Sequence, residues 1–169
     1  FICLNSQMPN RLFPTLLARG MFEGFDGEIR AEVTHGDSRF DFQVGETLIE
    51  VKGLTLHLGN GVGAFPDAPS ARARKHVAGL TRHTISGGRA AVVFIGGHSE
   101  IRHVTSARHI DPEFADMLDR AHKAGVRIQA ACVVWDQHGA KDPYRIAVDL
   151  KKSFTLSAMA SRATRNRSS

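Results

Sequence analysis

The stretch RFDFQVGETLIEVKG, residues 39–53, decides how this sequence is expected to fold. Apolar and polar residues alternate on both sides of Gly45-Glu46, a pattern typical of two antiparallel strands joined by a two-residue turn. Counted outward from that turn, the register places Asp41 opposite Glu50. The stretch therefore predicts a hairpin that carries two facing carboxylates.

Side-chain alternation predicts one apolar and one polar face for this hairpin. The predicted apolar face consists of Phe40, Phe42, Val44, Thr47, Ile49 and Val51. On the polar face, the Cβ atoms of Asp41 and Glu50 are expected to lie about 5 Å apart. Like charges at that distance destabilise a sheet unless a proton or a positive charge neutralises them.

The residues around the two carboxylates leave three ways of neutralising them. The pair can share a proton, which raises one pKa; Arg39 and Lys52 can form a solvated lattice of charges; or a divalent cation can take both acids as oxygen ligands. Lys52 favours the cation, because this lysine lies on the same strand face and can orient, or help to deprotonate, a water beside the ion. A metal ion that polarises a phosphate group and activates a water molecule can catalyse phosphodiester hydrolysis.

The rest of the chain alternates predicted helices and strands. A short helix is predicted from Pro14 to Gly20, and a glycine- and proline-rich loop in LHLGNGVGAFPDAP. The other predicted elements are a strand in EIRAEVTH, a basic helix in SARARKHVAGLTRHTIS, a strand in RAAVVFIGG, a helix in DPEFADMLDRAHKAG and a strand in VRIQAACVVWD. The order α-β-β-β-α-β-α-β predicts a mixed α/β (α+β) fold with a central mixed sheet flanked by helices.

Charge is unevenly distributed along the chain. The net charge of +5 is accounted for by residues 151–169, a predicted disordered basic tail, whereas residues 1–150 form one predicted domain. Residues 20–67 carry three basic and nine acidic side chains, and residues 68–110 carry seven basic and one acidic. An acidic hairpin followed by a basic helix suits binding of a metal ion and of a phosphate backbone.

The sequence also makes predictions about the cellular location of the protein and about its two cysteines. It contains no membrane-length apolar run and no signal peptide, which predicts a cytoplasmic protein. Cys3 and Cys132 lie in apolar contexts without metal-ligand spacing. They are predicted to be packed thiols rather than zinc ligands or nucleophiles.

Five collinear segments carry a resemblance to a known family. They are FICLNSQMPNRL, EVTHGDSRFDF, IEVKGLTL, FPDAPSARARKH and ARHIDPEFADMLDRAHKAGV. In order and spacing they resemble the sugar fermentation stimulation protein A family of bacteria and archaea. The resemblance implies a DNA-binding protein with an N-terminal OB-fold and a C-terminal domain similar to PD-(D/E)xK nucleases, a restriction-endonuclease-like core. This chain is expected to be the C-terminal domain without the OB-fold.

The resemblance also assigns residues. Asp41, Glu50 and Lys52 match the catalytic motif, and Glu32 matches a further acid that is either a metal ligand or a surface strand residue. Together with the basic helix, the pattern predicts DNA contacts from Arg39, Arg72, Arg74, Lys75 and His76. A packed, hydrogen-bonded His76 is the alternative for that residue. Asp67 is an additional candidate site residue, with capping of the basic helix as its alternative.

Two functions follow as hypotheses. The first is largely non-specific DNA binding through phosphates, with a regulatory role in sugar metabolism suggested by the family name; no helix-turn-helix signature predicts base reading. The second is a Mg²⁺-dependent DNA endonuclease, with Mn²⁺ as an alternative ion, that uses Asp41, Glu50 and Lys52. Nucleotide binding by GNGVG is disfavoured because its glycines do not lead from a strand into a helix.

Overall fold

The computed structural model describes residues 7–136 and 139–150. Its helices are α1 (Met8–Ala18), α2 (Ala71–Ile85) and α3 (Pro112–Lys123). Its strands are β1 (Ile29–His35), β2 (Ser38–Val44), β3 (Thr47–Leu54), β4 (Leu56–His57), β5 (Val62–Phe65), β6 (Arg89–Gly96), β7 (His103–Ser106), β8 (Arg127–Asp136), β9 (Gly139–Arg145) and β10 (Ala147–Val148). No helix in these ranges combines the length and apolar character needed to cross a bilayer.

The strands form two sheets. The main sheet has the order β1-β2-β3-β6-β8-β9, with parallel pairing of β3, β6 and β8 at its centre and antiparallel pairing towards both edges. A smaller sheet has the order β10-β7-β5-β4. The predicted class is confirmed: a mixed sheet is flanked by helices, and the predicted order of helices and core strands is present.

The central strands are buried on both faces. In β6, Val92 and Phe94 belong to the apolar core beneath α2 and α3, whereas Ala91, Val93 and Ile95 belong to a second core beneath α1. Because helices cover both faces of these strands, apolar and polar residues need not alternate along them. This explains the continuous apolar run of RAAVVFIGG and the layered arrangement of helix, sheet and helices.

One carboxylate links the starts of α2 and α3. Asp111 caps α3, because its Oδ1 accepts from the backbone N–H of Phe114 at 2.9 Å. Its Oδ2 accepts from the backbone N–H of Ser70 at 2.9 Å. Ser70 in turn caps α2 by accepting from the N–H of Ala73 at 3.1 Å. Asp111 therefore stabilises the N-terminal turns of both helices.

The predicted start of the first helix at Pro14 is wrong. Helix α1 already begins at Met8, with Pro9 in its first turn and Pro14 in its interior. An interior proline costs about 3 kcal/mol because it cannot donate the helical hydrogen bond. Complete burial of Phe13 and Leu16 against the sheet offsets that cost.

The prediction of a loop over LHLGNGVGAFPDAP is also wrong in part. Strands β4 and β5 form a short antiparallel hairpin within it, and β5 then pairs in parallel with β7. The glycine-rich centre forms the turn, since Gly59, Asn60 and Gly61 all have positive φ. Dense glycine here marks a tight reversal between strands.

The hairpin turn at Gly45-Glu46 is confirmed, with Val44 paired to Thr47 and Phe42 paired to Ile49. Gly45 has a φ of 55°, which favours glycine at the first turn position. The turn therefore lies where the Gly-X pattern predicted it, and it sets the register of the first pairs.

Beyond those pairs the strands are irregular at Asp41. The carboxylate of Asp41 accepts from the N–H of Val51 at 2.8 Å. On the neighbouring strand, Glu32 has a φ of 56° and is absent from the β1–β2 pairing. Phe40 packs in the core beneath α2, whereas Phe42 packs beneath α1. The prediction that these two rings share one apolar face is therefore wrong.

Cys132 is fully buried, and burial raises the pKa of its thiol to about 11. A thiol of that kind is packed rather than nucleophilic, as predicted. Cys3 and the predicted tail, residues 151–169, lie outside the described residues.

Candidate active site

A cleft of about 610 Å³ lies where α1, β2, β3, β6 and the first turn of α2 meet. Six residues selected from the sequence line it: Glu32, Asp41, Glu50, Lys52, Asp67 and Arg72. They come from separate strands, a loop and a helix, and only folding brings them together. The hairpin motif therefore opens into a cleft instead of facing bulk solvent.

Glu50 is the most buried charged group of the cleft, with a side chain only 2% exposed. Its Oε1 accepts from the ammonium of Lys52 at 2.5 Å and also contacts Nδ1 of His76. Its Oε2 is buried and has no hydrogen-bond partner among the described residues. A buried carboxylate oxygen without a partner is energetically costly, which makes it a candidate ligand atom.

Asp41 is half-buried and held from two sides. Its Oδ1 accepts from the side-chain amide of Asn10 at 2.8 Å. Its Oδ2 accepts from the N–H of Val51, so that one oxygen is bound by α1 and the other by β3. These contacts orient the carboxylate at the cleft wall, and each oxygen keeps a further lone pair.

The surroundings move the pKa values of the two acids in opposite directions. Burial, reinforced by the charge of Glu50, raises the pKa of Asp41 above its usual value. Burial acts in the same sense on Glu50, but the hydrogen bond from His76 and the charge of Lys52 outweigh it and lower the pKa of Glu50. Glu50 therefore remains the carboxylate of the pair, and Asp41 takes up a proton more readily.

Glu32 and Asp67 lie at the edges of the cleft with partners of their own. Glu32 is exposed and forms an ion pair with Arg39, which directs the Arg39 guanidinium to that acid. Asp67 accepts from the hydroxyl of Thr55 at 2.7 Å. The capping alternative for Asp67 is wrong, because Ser70 caps α2.

The basic side chains of α2 are used in different ways. Arg74 forms ion pairs with Asp111 and Glu113, and Lys75 donates to the carbonyl of Asp37. Arg72 is exposed at the cleft and makes no ion pair within the described part of the chain. Of the predicted DNA contacts on this helix, Arg72 is thus the one that the fold directs to the cleft.

His76 is buried and lies beneath the cleft. Its ring contacts Glu50 and packs edge-on against Phe40, with ring centroids 5.8 Å apart. The predicted contact between His76 and DNA does not fit this position, because a buried side chain cannot reach a phosphate backbone. The packed, hydrogen-bonded alternative is confirmed.

Asn10 is a site residue that the sequence interpretation missed. The error follows from placing the helix start at Pro14, four residues too late to include Asn10. Two signals pointed to it: Pro9 suits a first helical turn, and Gly53 permits close approach of α1. A Cβ at position 53 would lie 2.9 Å from Cγ of Pro9.

The family model and the curated relatives that this chain matches name the same protein family. The family model described as "Sugar fermentation stimulation protein RE domain" matches residues 7–139. A sugar fermentation stimulation protein homolog of Desulforamulus reducens is 41% identical over 140 residues, which cover 79% of this chain and 58% of that protein. One of Caldanaerobacter subterraneus is 38% identical over 135 residues, with coverages of 76% and 58%. The chain thus spans 58% of the length of these relatives.

A solved structure has the same fold. It is described as Pyrococcus furiosus SfsA in complex with Ca²⁺, and it superposes with a TM-score of 0.77 at 24% identity. The superposition covers 85% of this chain and 65% of the other. At that identity the likeness concerns the arrangement of helices and strands.

Proposed function

The chain belongs to the sugar fermentation stimulation protein family, and from this premise we propose that its cleft binds DNA and hydrolyses phosphodiester bonds with a divalent cation. The observation that carries the proposal is the buried Glu50 Oε2, which has no hydrogen-bond partner among the described residues. Asp41 and Lys52 line the same cleft. A carboxylate pair that holds a metal ion, with a lysine beside it, suits metal-dependent phosphodiester hydrolysis.

The donors fit Mg²⁺, with Mn²⁺ as its substitute. Asp41 and Glu50 would hold the ion, and Glu32 offers a further carboxylate at the cleft edge. Hard cations prefer such oxygen ligands, and Mg²⁺ keeps several of its waters. A bound ion would polarise the phosphate and lower the pKa of a bound water.

The remaining side chains orient these groups. The ammonium of Lys52 lies 2.5 Å from Glu50 Oε1 and would orient a water in the cleft by donating to its oxygen. His76 fixes the carboxylate of Glu50 from below, and Asn10 fixes that of Asp41. His76 and Asn10 are positioning residues, since each acts through a carboxylate.

Arg72 supplies the phosphate contact of the proposal. Its guanidinium is exposed at the cleft and makes no ion pair among the described residues, so no internal bond has to break before it meets a phosphate. Guanidinium groups bind phosphate oxygens in a bidentate geometry. The expected recognition is therefore of the nucleic-acid backbone and is largely independent of base sequence.

Binding without cleavage is the second candidate function, and the exposed Arg72 at the cleft favours it independently of the acids. Non-specific binding of this kind suits a regulatory role in sugar metabolism, acting in the cytoplasm as a DNA-binding protein. An N-terminal OB-fold, which the resemblance implies as a partner of this domain, would add a groove for single strands.

The test is cleavage of plasmid and single-stranded DNA by the wild type and Asp41→Ala, with Mg²⁺, with Mn²⁺ and with chelator. Asp26→Ala is the matched control, because Asp26 is an exposed aspartate outside the cleft lining. Cleavage is expected only with metal, to fall at least about 100-fold in Asp41→Ala, and to be unchanged in Asp26→Ala.

Binding measured in parallel separates the two candidates. Metal-dependent cleavage lost in Asp41→Ala with retained binding supports hydrolysis. Binding by the wild type without cleavage under any condition supports the DNA-binding function alone. Equal cleavage by Asp41→Ala and the wild type contradicts the assignment of the hairpin as the active site.

A further inference from the structure

A second cluster of metal-ligating side chains lies beside the cleft. His57, His98 and Glu100 each offer one ligand atom, and these atoms all lie within 4.8 Å of one another. It is the one such group of three histidine, cysteine or acidic residues in the part of the chain that the structure describes. None of the three belongs to the site proposed for DNA hydrolysis.

The parallel pairing of β3 and β6 creates this cluster. The last pair of that ladder is Leu54 with Gly96, and His57 and His98 follow three and two residues later. The carboxyl ends of neighbouring parallel strands meet at one edge of a sheet, which places the two histidines side by side. A turn in which the N–H of Ile101 donates to the carbonyl of His98 at 3.1 Å then brings Glu100 to the same edge.

Each imidazole keeps a ring nitrogen for an ion. Nδ1 of His98 accepts from the backbone N–H of Glu100 at 3.3 Å, which leaves Nε2 of that ring. The centroids of the two rings are 4.2 Å apart, and Nε2 of His57 is shielded from solvent without a hydrogen-bond partner among the described residues. Neutral imidazole is the form that ligates metals.

The space beside the two histidines suits a single ion. A cavity of about 10 Å³, lined by His57 and His98, has room for about one water-sized sphere. Ligands on a tetrahedral ion with bonds of about 2.0 to 2.1 Å lie roughly 3.4 Å apart. The three ligand atoms, which lie within 4.8 Å of one another, would therefore approach by up to about 1.4 Å through side-chain rotation.

We propose that His57, His98 and Glu100 form a binding site for a transition-metal ion of the zinc class, distinct from the oxygen-donor cleft. Two imidazoles and one carboxylate select Zn²⁺ or Co²⁺ over Mg²⁺ or Ca²⁺. Leu54, Thr55 and Gly97 line both the small cavity and the cleft, so the ion ties together two segments of the cleft wall. This inference is independent of the proposed hydrolysis.

The test is a Co²⁺ titration of the chelator-treated chain in excess Mg²⁺, which keeps hard oxygen sites occupied. The wild type is expected to bind one equivalent of Co²⁺ with the ligand-field absorption of a nitrogen-ligated ion, and Zn²⁺ is expected to displace it. The double substitution of His57→Ala and His98→Ala should abolish the signal, and Glu100→Gln should weaken binding about tenfold or more.

The matched control is the double substitution of His35→Ala and His83→Ala. It removes another close histidine pair, whose ring nitrogens are 3.2 Å apart, and the signal should persist. Circular dichroism checks the fold of each variant. Glu100 is exposed, so Glu100→Gln remains informative if the double histidine variant does not fold. No Co²⁺ binding by the wild type, or equal binding by Glu100→Gln and the wild type, overturns the proposal.

Discussion

Glu50 and Asp111 are two carboxylates with nearly equal burial and different hydrogen bonding. Their side chains are 2% and 1% exposed. Both oxygens of Asp111 are bound, by Arg74 and by the backbone N–H groups of Ser70 and Phe114. In Glu50, by contrast, both contacts fall on Oε1 and Oε2 is left without a partner in the described residues.

The difference distinguishes a carboxylate that stabilises the fold from one that is available for chemistry. The ionisation of Asp111 is compensated by four hydrogen bonds, whereas that of Glu50 is compensated on one side only. Burial removes water from both carboxylates, which is unfavourable. Hydrogen-bond partners offset that desolvation only where they reach both oxygens. A carboxylate with an unused oxygen gains most when a ligand arrives.

The largest expected effect on stability is therefore that of Asp111→Ala. It removes the cap of α3, leaves the N–H of Ser70 without its acceptor and separates Arg74 from its buried partner. We expect the free energy of unfolding to fall by about 3 to 5 kcal/mol, as measured by urea denaturation.

Glu50→Gln is the substitution to compare with it. It also removes a buried charge, but the amide keeps the volume of the side chain, and Lys52 can turn towards Asp41 and the cleft. The expected loss is about 1 kcal/mol. A loss for Glu50→Gln as large as that for Asp111→Ala would contradict the distinction between the two carboxylates.

The next expected effect is a difference in salt dependence between two arginines of α2. Arg72 lines the cleft, whereas Arg82 lies farther along the helix and forms an ion pair with Asp37 at 3.3 Å. Replacing Arg72 with alanine should weaken DNA binding and reduce the slope of log K against log salt by about 0.9, the value for one phosphate contact.

The corresponding Arg82→Ala variant should leave that slope unchanged. Both substitutions concern exposed side chains and should alter the free energy of unfolding by no more than about 0.5 kcal/mol. Fluorescence anisotropy over a salt series measures the slopes. Equal slopes for Arg72→Ala and the wild type would show that the cleft is not where phosphate binds.

The smallest expected effect is a pH dependence of opposite sign at Asp41 and Asp111. Burial raises the pKa of Asp41, so its stabilising contribution is present below the ordinary value of 3.8 and is lost as pH rises through its folded-state pKa. Burial acts the same way on Asp111, but hydrogen bonds from Ser70, Phe114 and Arg74 outweigh it and lower the pKa. The contribution of Asp111 is present above 3.8 and is lost as pH falls through its folded-state pKa.

Urea unfolding of Asp41→Asn and Asp111→Asn at a series of acidic pH values, in a buffer that contains chelator, measures how each free energy of unfolding changes with pH. Relative to the wild type, Asp41→Asn should become more stable as pH rises towards neutrality, and Asp111→Asn less stable. Changes of the same sign in both variants would contradict the pKa directions given for these residues.

Much of the fold and part of the site were predictable, because their signals are local. The Gly45-Glu46 turn, the strand in RAAVVFIGG and the helix in DPEFADMLDRAHKAG were all predicted from neighbouring residues. The grouping of Asp41, Glu50 and Lys52 followed from strand alternation and the resemblance. The true start of α1 was missed because burial of Phe13 and Leu16 offsets an interior proline, and no local preference reveals that packing.

Which carboxylate keeps a free oxygen was decided by the tertiary structure alone. Sequence spacing treats Asp41 and Glu50 as equivalent partners, yet α1 supplies Asn10 to one and α2 supplies His76 to the other. Those contacts join residues 31 and 26 positions apart. Local sequence selects strands and turns because backbone preferences act between neighbours, whereas the protonation and ligand capacity of a buried acid depend on groups that only packing brings within hydrogen-bond distance.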